Sequence, residues 1–298
     1  MKLQIVYDDP GTYLDQTPCQ VIIGRAAQSL GWAVRYGAEP DYDWPDALLF
    51  NHKWQRALPT CRPRKVLWSF DLVAMDPTRP LHEQARWHGD AWRTLDVMLV
   101  RERSLVGEYR RHGVPAHWSD QACWPANCIG RTFAPVHPCD VGFAGQGYAH
   151  GGRRELVGTL AQRHDVHVWC HNERSWDGLD VTWHRGLYDG NFGQIVADAK
   201  VIIGTNYRND LDGCWSNRLW EVLGAGGFFL TRRVPGLADV VTDGVHCVMF
   251  DTVADAVAKA AYYLAHPAER QRIARQGQTH AWMHHTYAHR LRDLEKLL

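Results

Sequence analysis

Short apolar runs recur along this chain at intervals that leave room for one helix between neighbours. In the first half they fall at residues 3–6, 33–35, 47–50, 65–68, 97–100 and 116–118. Runs of four or so apolar positions bounded by turn formers read as strands buried on both faces. Residues 21–30 carry a helical pattern that stops at Gly31, and residues 104–112 carry one that stops at Gly113, with Pro115 beyond. A glycine just past the last helical position is a common helix stop. The second half repeats the alternation, with strands at 141–143, 166–169, 201–203, 227–230 and 247–250, and helices at 153–163, 192–199, 218–223, 253–264 and from Pro267 onward. This order predicts an α/β fold of parallel sheets with crossover helices, built as two Rossmann-like domains. The stretch from Pro125 to Pro138 has three prolines and no periodicity, so it reads as the linker. The expected division is 1–135, 136–281 and a final helix over 282–298.

Composition narrows the class. A 298-residue chain with 45% hydrophobic and 22% charged residues suits two folded domains rather than a disordered segment. The formal charge is zero, so no global field draws a polyanion or an anionic membrane. Local basic clusters, Arg62 with Arg64 and Lys65, and Arg101, Arg103, Arg110 and Arg111, read as solvated faces. The N-terminal strand is followed at once by Asp8 and Asp9, unlike an export segment, and no apolar run approaches membrane-spanning length. A cytoplasmic protein without membrane insertion is expected. The eight cysteines are scattered with no C-x-x-C pair, which favours reduced thiols over a disulfide framework or a zinc site. His171 beside Cys170, and the pair His284-His285, are weak metal candidates.

The most informative segment runs Ser216-Asn217-Arg218-Leu219-Trp220-Glu221-Val222-Leu223-Gly224-Ala225-Gly226-Gly227, then enters the apolar Phe228-Phe229-Leu230. It sets an amide, a cation and a carboxylate within about one helical turn. A helix start suits phosphate, and a carboxylate one turn further in can accept the hydroxyls of a ribose. The plain alternative is a surface pair between Arg218 and Glu221 at i, i+3, with Gly226 and Gly227 as an ordinary helix end. Gly145, Gln146 and Gly147 follow a predicted strand and could let backbone amides approach a diphosphate, although the run lacks G-x-G-x-x-G spacing. Asn206, in the loop opened by Gly204, could contact a sugar or phosphate. Asp41-Tyr42-Asp43 has D-x-D spacing in a predicted loop and reads as structural.

Further motifs follow in a fixed order. After the glycines come Pro235-Gly236-Leu237, then Gly244-Val245-His246 leading to Phe250, then Pro267 with Arg270, and finally His285-Thr286-Tyr287 with Arg290. Upstream, Asp140 to Gly147 precedes Arg153-Arg154-Glu155-Leu156. Over about residues 138–298 this order resembles the donor domain of GT-B glycosyltransferases, particularly the CgeB-like (spore-maturation-protein) group.

The resemblance implies two Rossmann-like domains facing a cleft, with the last helix crossing back to the first domain. It implies transfer of a sugar, hexose or similar, from a nucleoside-diphosphate-sugar donor to a hydroxyl acceptor. No divalent metal or other cofactor is expected. The donor-binding residues would be Gly145, Gln146, Gly147, Asn206, Asn217, Arg218 and Glu221, with Asn217 and Arg218 on the departing diphosphate and Glu221 on the ribose. Candidate bases for the acceptor hydroxyl are Asp71, after the strand at 65–70, and Asp9, after the first strand. The acceptor is open: a small molecule, a glycan, a protein side chain or a modified nucleic-acid base. One departure stands out, because many retaining GT-B enzymes carry a second glutamate eight positions earlier, where this chain has Gly213, with Asp210 and Asp212 nearby. That departure leaves open a catalytically silent nucleotide-sugar binding module. A phosphorylase or epimerase on the same fold is a further reading, and for a phosphorylase only Lys200, Lys259 and Lys296 follow Arg153 as cofactor lysines.

Overall fold

The computed structural model describes residues 1–6, 19–51, 57–69, 80, 89–124, 134–148, 150–186 and 192–298. The chain divides into two units, Met1–Gln121 with Leu211–Cys214 and Tyr287–Leu298, and Ala122–Asp210 with Trp215–Thr286. The expected division at 135/136 therefore lies at 121/122, and the return to the first unit begins at Tyr287 rather than residue 282. The short excursion Leu211–Cys214 into the first unit was not anticipated.

In the first unit, β1 (Lys2–Val6), α1 (Cys19–Ser29), β2 (Ala33–Gly37), β3 (Ala47–Asn51), β4 (Arg64–Ser69), the one-turn α2 (Gly89–Trp92), β5 (Val97–Val100), α3 (Val106–Arg111) and β6 (Ala116–Trp118) follow in order. Their strands form one parallel sheet in the order β2-β1-β3-β4-β5-β6. All four residues of β5 are buried, as a strand covered on both faces requires. Leu48, Phe50, Leu67, Met98, Val100 and Tyr109 build a core that Leu211 and Cys214 also enter. Among described residues the sequence reading missed α2, too short to show a period.

In the second unit, β7 (Cys139–Ala144), α4 (Arg153–Ala161), β8 (Val166–Cys170), β9 (Thr182–Arg185), α5 (Phe192–Asp198), β10 (Ala199–Gly204), α6 (Arg218–Gly224), β11 (Phe229–Arg232), β12 (Val248–Phe250), α7 (Val253–Ala265) and α8 (Pro267–His284) precede α9 (Tyr287–Glu295) of the first unit. The sheet order is β12-β11-β10-β7-β8-β9, all parallel. Local chemistry marks the helix ends. Thr252 caps α7, its hydroxyl accepting from Asp255 N at 3.0 Å, and Asp255 pairs with Lys259 at 2.8 Å one turn on. Arg270 donates to Tyr263 O at 2.6 Å, so the Pro267-to-Arg270 motif closes the end of α7 and opens α8. The helix predicted over 282–298 is interrupted at 285–286, where Thr286 pairs in parallel with Cys123.

Candidate functional site

The strand order of the second unit reverses direction between β7 and β10, which lie side by side with Val201 opposite Val141 and Ile202 opposite Gly142. In open α/β sheets a ligand sits outside the carboxyl ends of the strands at such a switch point. The chain leaves β7 through Gly145, Gln146 and Gly147, and leaves β10 through Thr205 and Asn206 toward Asn217, Arg218 and Glu221 at the start of α6. The seven residues predicted to bind the donor thus all lie on the two loops of the switch point or on α6, which follows the second loop.

Arg218 joins the two strand ends. Its Nη1 donates to Ala144 O, at the end of β7, and its Nη2 donates to Thr205 O, just beyond β10, at 2.7 Å. Arg218 is 6% exposed, and its guanidinium lies over the Phe143 ring, 4.9 Å from the centroid. Gly145 permits this approach, because a Cβ there would come within 2.6 Å of Arg218 Nη1 at a backbone φ of 144°. Arg218 is therefore turned inward onto backbone carbonyls.

Asn206 is equally built in. Its Oδ1 accepts from Ser216 N at 2.8 Å and its Nδ2 donates to Asn209 Oδ1 at 3.3 Å, which folds the second loop back to the start of α6. Asn217 donates from Nδ2 to Glu221 Oε1 at 3.0 Å. Glu221 is half-buried, and burial pushes its carboxyl up to about 7, against the opposing pull of the Arg218 charge and the Asn217 hydrogen bond. Two consequences follow. Ionised Glu221 is the form that accepts hydrogen bonds on both carboxylate oxygens, so its power to hold a hydroxyl-bearing ligand should rise as pH passes upward through 7.

The second consequence is a stability effect. The folded chain keeps the Glu221 proton above the unfolded value of 4.5, so stability falls as pH rises toward and through about 7. Glu221→Gln, which cannot ionise, should gain on the wild type by about 3 kcal/mol between pH 4 and pH 9. Urea unfolding of both proteins at the two pH values measures this, and a gap that does not change with pH would refute it.

The glycine loop after β7 has its amides in use. Gly145 N donates to Trp169 O and Gly147 N donates to Ser175 Oγ, both at 2.9 Å, so these two amides close the protein rather than face a ligand. Gln146 Oε1 is buried without a partner among the described residues. Close beside it stands a residue to which the sequence reading assigned no role. Arg153, at the first position of α4, donates from Nη1 to Gln146 O at 3.2 Å, while its Nε is buried without a described partner. Burial lowers its affinity for the proton, and among the described residues no carboxylate pairs with it. The adjacent Arg154 differs, because it bonds Ser175 O and Asp177 O. The available sequence signal was a twin arginine opening a helix after Gly151-Gly152, on the loop of the first strand of a Rossmann unit.

Position 213, eight before Glu221, cannot carry a side chain. Gly213 has φ 77°, and a Cβ there would lie 2.7 Å from Arg103 N. The neighbouring aspartates are paired, Asp210 with Arg208 at 2.7 Å and Asp212 with Arg103 at 3.7 Å. Asp71 and Asp9 lie outside the described residues. Asp41 accepts from the amides of Asp43 at 2.9 Å and Trp44 at 3.2 Å, a turn-forming role that lowers its pKa. Among the described residues no three His, Cys, Asp or Glu side chains are grouped as metal ligands, and no helix is long and apolar enough to cross a membrane. Cys61, Cys123, Cys139, Cys170, Cys214 and Cys247 are free thiols.

Residues 153–296 match the family model described as glycosyl transferase-like. No curated protein matches the chain in sequence. Solved structures match it over nearly its whole length. Sucrose-phosphate synthase from Thermosynechococcus elongatus is 11% identical with TM-score 0.68, over 99% of this chain and 98% of that one. HepE from Anabaena, in complex with UDP and glucose, is 10% identical with TM-score 0.65 over the same shares. BGT of phage T4, in complex with its UDP-glucose substrate, is 11% identical with TM-score 0.64, over 100% of this chain and 99% of that one. Residues 153–296 thus resemble the glycosyl transferase-like family in sequence, and the whole chain has the two-sheet GT-B fold of these solved structures.

Proposed function

We propose that the protein transfers a sugar, a hexose in the first instance, from a nucleoside-diphosphate donor to a hydroxyl acceptor, without a divalent metal. The observation that carries this reading is Arg153, a half-buried cation with no described anion, beside the carboxyl end of β7 at the switch point. A charge held out of water without a partner is costly, and a diphosphate would offset that cost. Glu221 would hold the ribose hydroxyls, with Asn217 steadying its carboxylate. Arg218 would keep β7 and β10 in place beneath the nucleotide rather than grip it.

In the reaction the bond between the sugar anomeric carbon and the diphosphate oxygen breaks, and the electron pair leaves with the diphosphate. Arg153 meets that charge with its planar fork. The acceptor oxygen bonds the anomeric carbon, and its proton passes to a carboxylate. Asp71 and Asp9 remain our candidates for that base. We place the protein in the CgeB-like group on the order of its motifs.

Calorimetry of UDP, GDP, ADP, CDP and dTDP without metal tests the donor site, UDP first because similar structures hold UDP or UDP-glucose. Micromolar binding of one nucleotide, lost in Glu221→Ala, supports the site; no binding by any of the five removes it. Asp71→Asn should lower transfer by about 10²–10⁴-fold with donor affinity unchanged. Wild-type transfer by that variant would pass the role to Asp9, tested by Asp9→Asn. A silent binding module is the second reading, favoured by Gly213 in the place of a glutamate. It would bind the nucleotide sugar yet neither transfer nor hydrolyse it.

A further inference from the structure

The segment His285-Thr286-Tyr287 with Arg290 stands out in the sequence and has no part in the chemistry above. In the structure its first residue, His285, packs against α6. The His285 ring stacks on Trp220, with centroids 3.9 Å apart and planes 12° apart. Trp220 is fully buried and directly precedes Glu221. The same region holds the end of α6, where Gly224 O accepts from Trp282 Nε1 at 2.9 Å and from Gln278 Nε2 at 3.3 Å. Cys123 completes the seat. Its amide donates to His285 O at 2.8 Å, its thiol donates to Ala281 O at 3.6 Å, and a Cβ on Gly224 would come within 2.6 Å of its own Cβ.

The helix gripped in this way has only seven residues. Two turns of helix do not hold their own orientation in water, so packing must supply it. Along α6, Arg218 and Glu221 face the strand ends and the loop, while Trp220 and Gly224 face the seat. A carboxylate about 6 Å from a helix axis moves about 1 Å when the helix turns by 10°. Displacements of that size are enough to disrupt a binding or catalytic geometry.

We infer that His285 is a positioning residue for nucleotide binding, its stack on Trp220 fixing the rotation of α6 and so the place of Glu221. This rests on the reading of Glu221 as the ribose ligand. The flat ring makes the stack, so phenylalanine, which keeps a flat ring at this position, should preserve the seat far better than alanine does. Thr286, paired with Cys123, and Arg290, which donates to Asp120 O at 3.0 Å and Gln121 O at 3.1 Å, tie down the chain on either side of the 286/287 crossing.

The test compares wild type, His285→Ala and His285→Phe by amide hydrogen exchange and by UDP calorimetry. His285→Ala should speed exchange across Arg218–Gly224 while leaving α4 and α7 protected, and should weaken UDP about tenfold. His285→Phe should restore both. Unchanged protection of α6, or a loss spread evenly over the unit, overturns the inference. Should the wild type bind no nucleoside diphosphate, the proposed function fails, while the exchange pattern alone still decides whether His285 seats α6. Should His285→Ala fail to fold, Trp282→Phe replaces it, since it removes the bond to Gly224 O and keeps a ring; local loss of protection in α6 supports the seat and its absence refutes it.

Discussion

Replacing Arg218 with methionine should cost about 3 kcal/mol of folding stability, because one buried and one half-buried backbone carbonyl lose their donor at once. Methionine fills a similar length over the Phe143 ring, so the loss is chiefly of hydrogen bonds and charge rather than of volume. Ala144 O and Thr205 O would be left facing each other across the ends of β7 and β10 with nothing between them. A second signature separates this from ordinary core damage. The Arg218 charge lowers the pKa of Glu221, so its removal should drive that carboxyl above its present value of about 7. Denaturant unfolding at neutral pH measures the first effect and carbon NMR titration of the glutamate carboxyl measures the second. A variant as stable as the wild type would show that the guanidinium does not hold the strand ends together.

Arg218 also marks where reading the sequence stops. The spacing of Asn217, Arg218 and Glu221 is visible locally, and it correctly places a cation and a carboxylate on a helix beside the switch point. The direction in which the cation points is not visible. Its acceptors lie 74 and 13 residues away in the chain, and only the pairing of β7 with β10 brings them together. The strands themselves were legible because parallel strands covered on both faces are almost wholly apolar, as Val97–Val100 is throughout and Val166–Cys170 is apart from His167. β9 was not legible, because its Thr182-Trp183-His184-Arg185 sequence lies at a sheet edge where polar side chains are tolerated. The same limit explains the single helix expected over 282–298. Its helical pattern runs through residues 285–286, and the break comes from pairing with Cys123, a partner no local pattern reveals.

The twin arginines at 153 and 154 show the limit from the other side. Side by side in sequence they look equivalent, and a reading by motif alone gives neither a role. Their partners separate them: Arg154 is bonded to Ser175 O and Asp177 O, whereas Arg153 keeps a buried Nε with no described acceptor. Arg153→Ala should therefore lower UDP affinity by about 2 kcal/mol, close to thirtyfold in Kd, which is the usual worth of a charge-assisted pair. Arg153→Lys should recover part of that, since an ammonium keeps the charge but loses the planar fork. The fold should not suffer. Among the described residues the arginine makes one hydrogen bond, to Gln146 O, and meets no anion, so its burial opposes folding and the alanine variant should melt at or above the wild-type temperature. Arg154→Ala should do the reverse, loosening the 175–177 turn and lowering the melting temperature, and reaching UDP only through that turn. Calorimetry and thermal melts on the two variants decide the matter. Equal UDP affinities in wild type and Arg153→Ala would show that the unpaired charge awaits something other than a diphosphate.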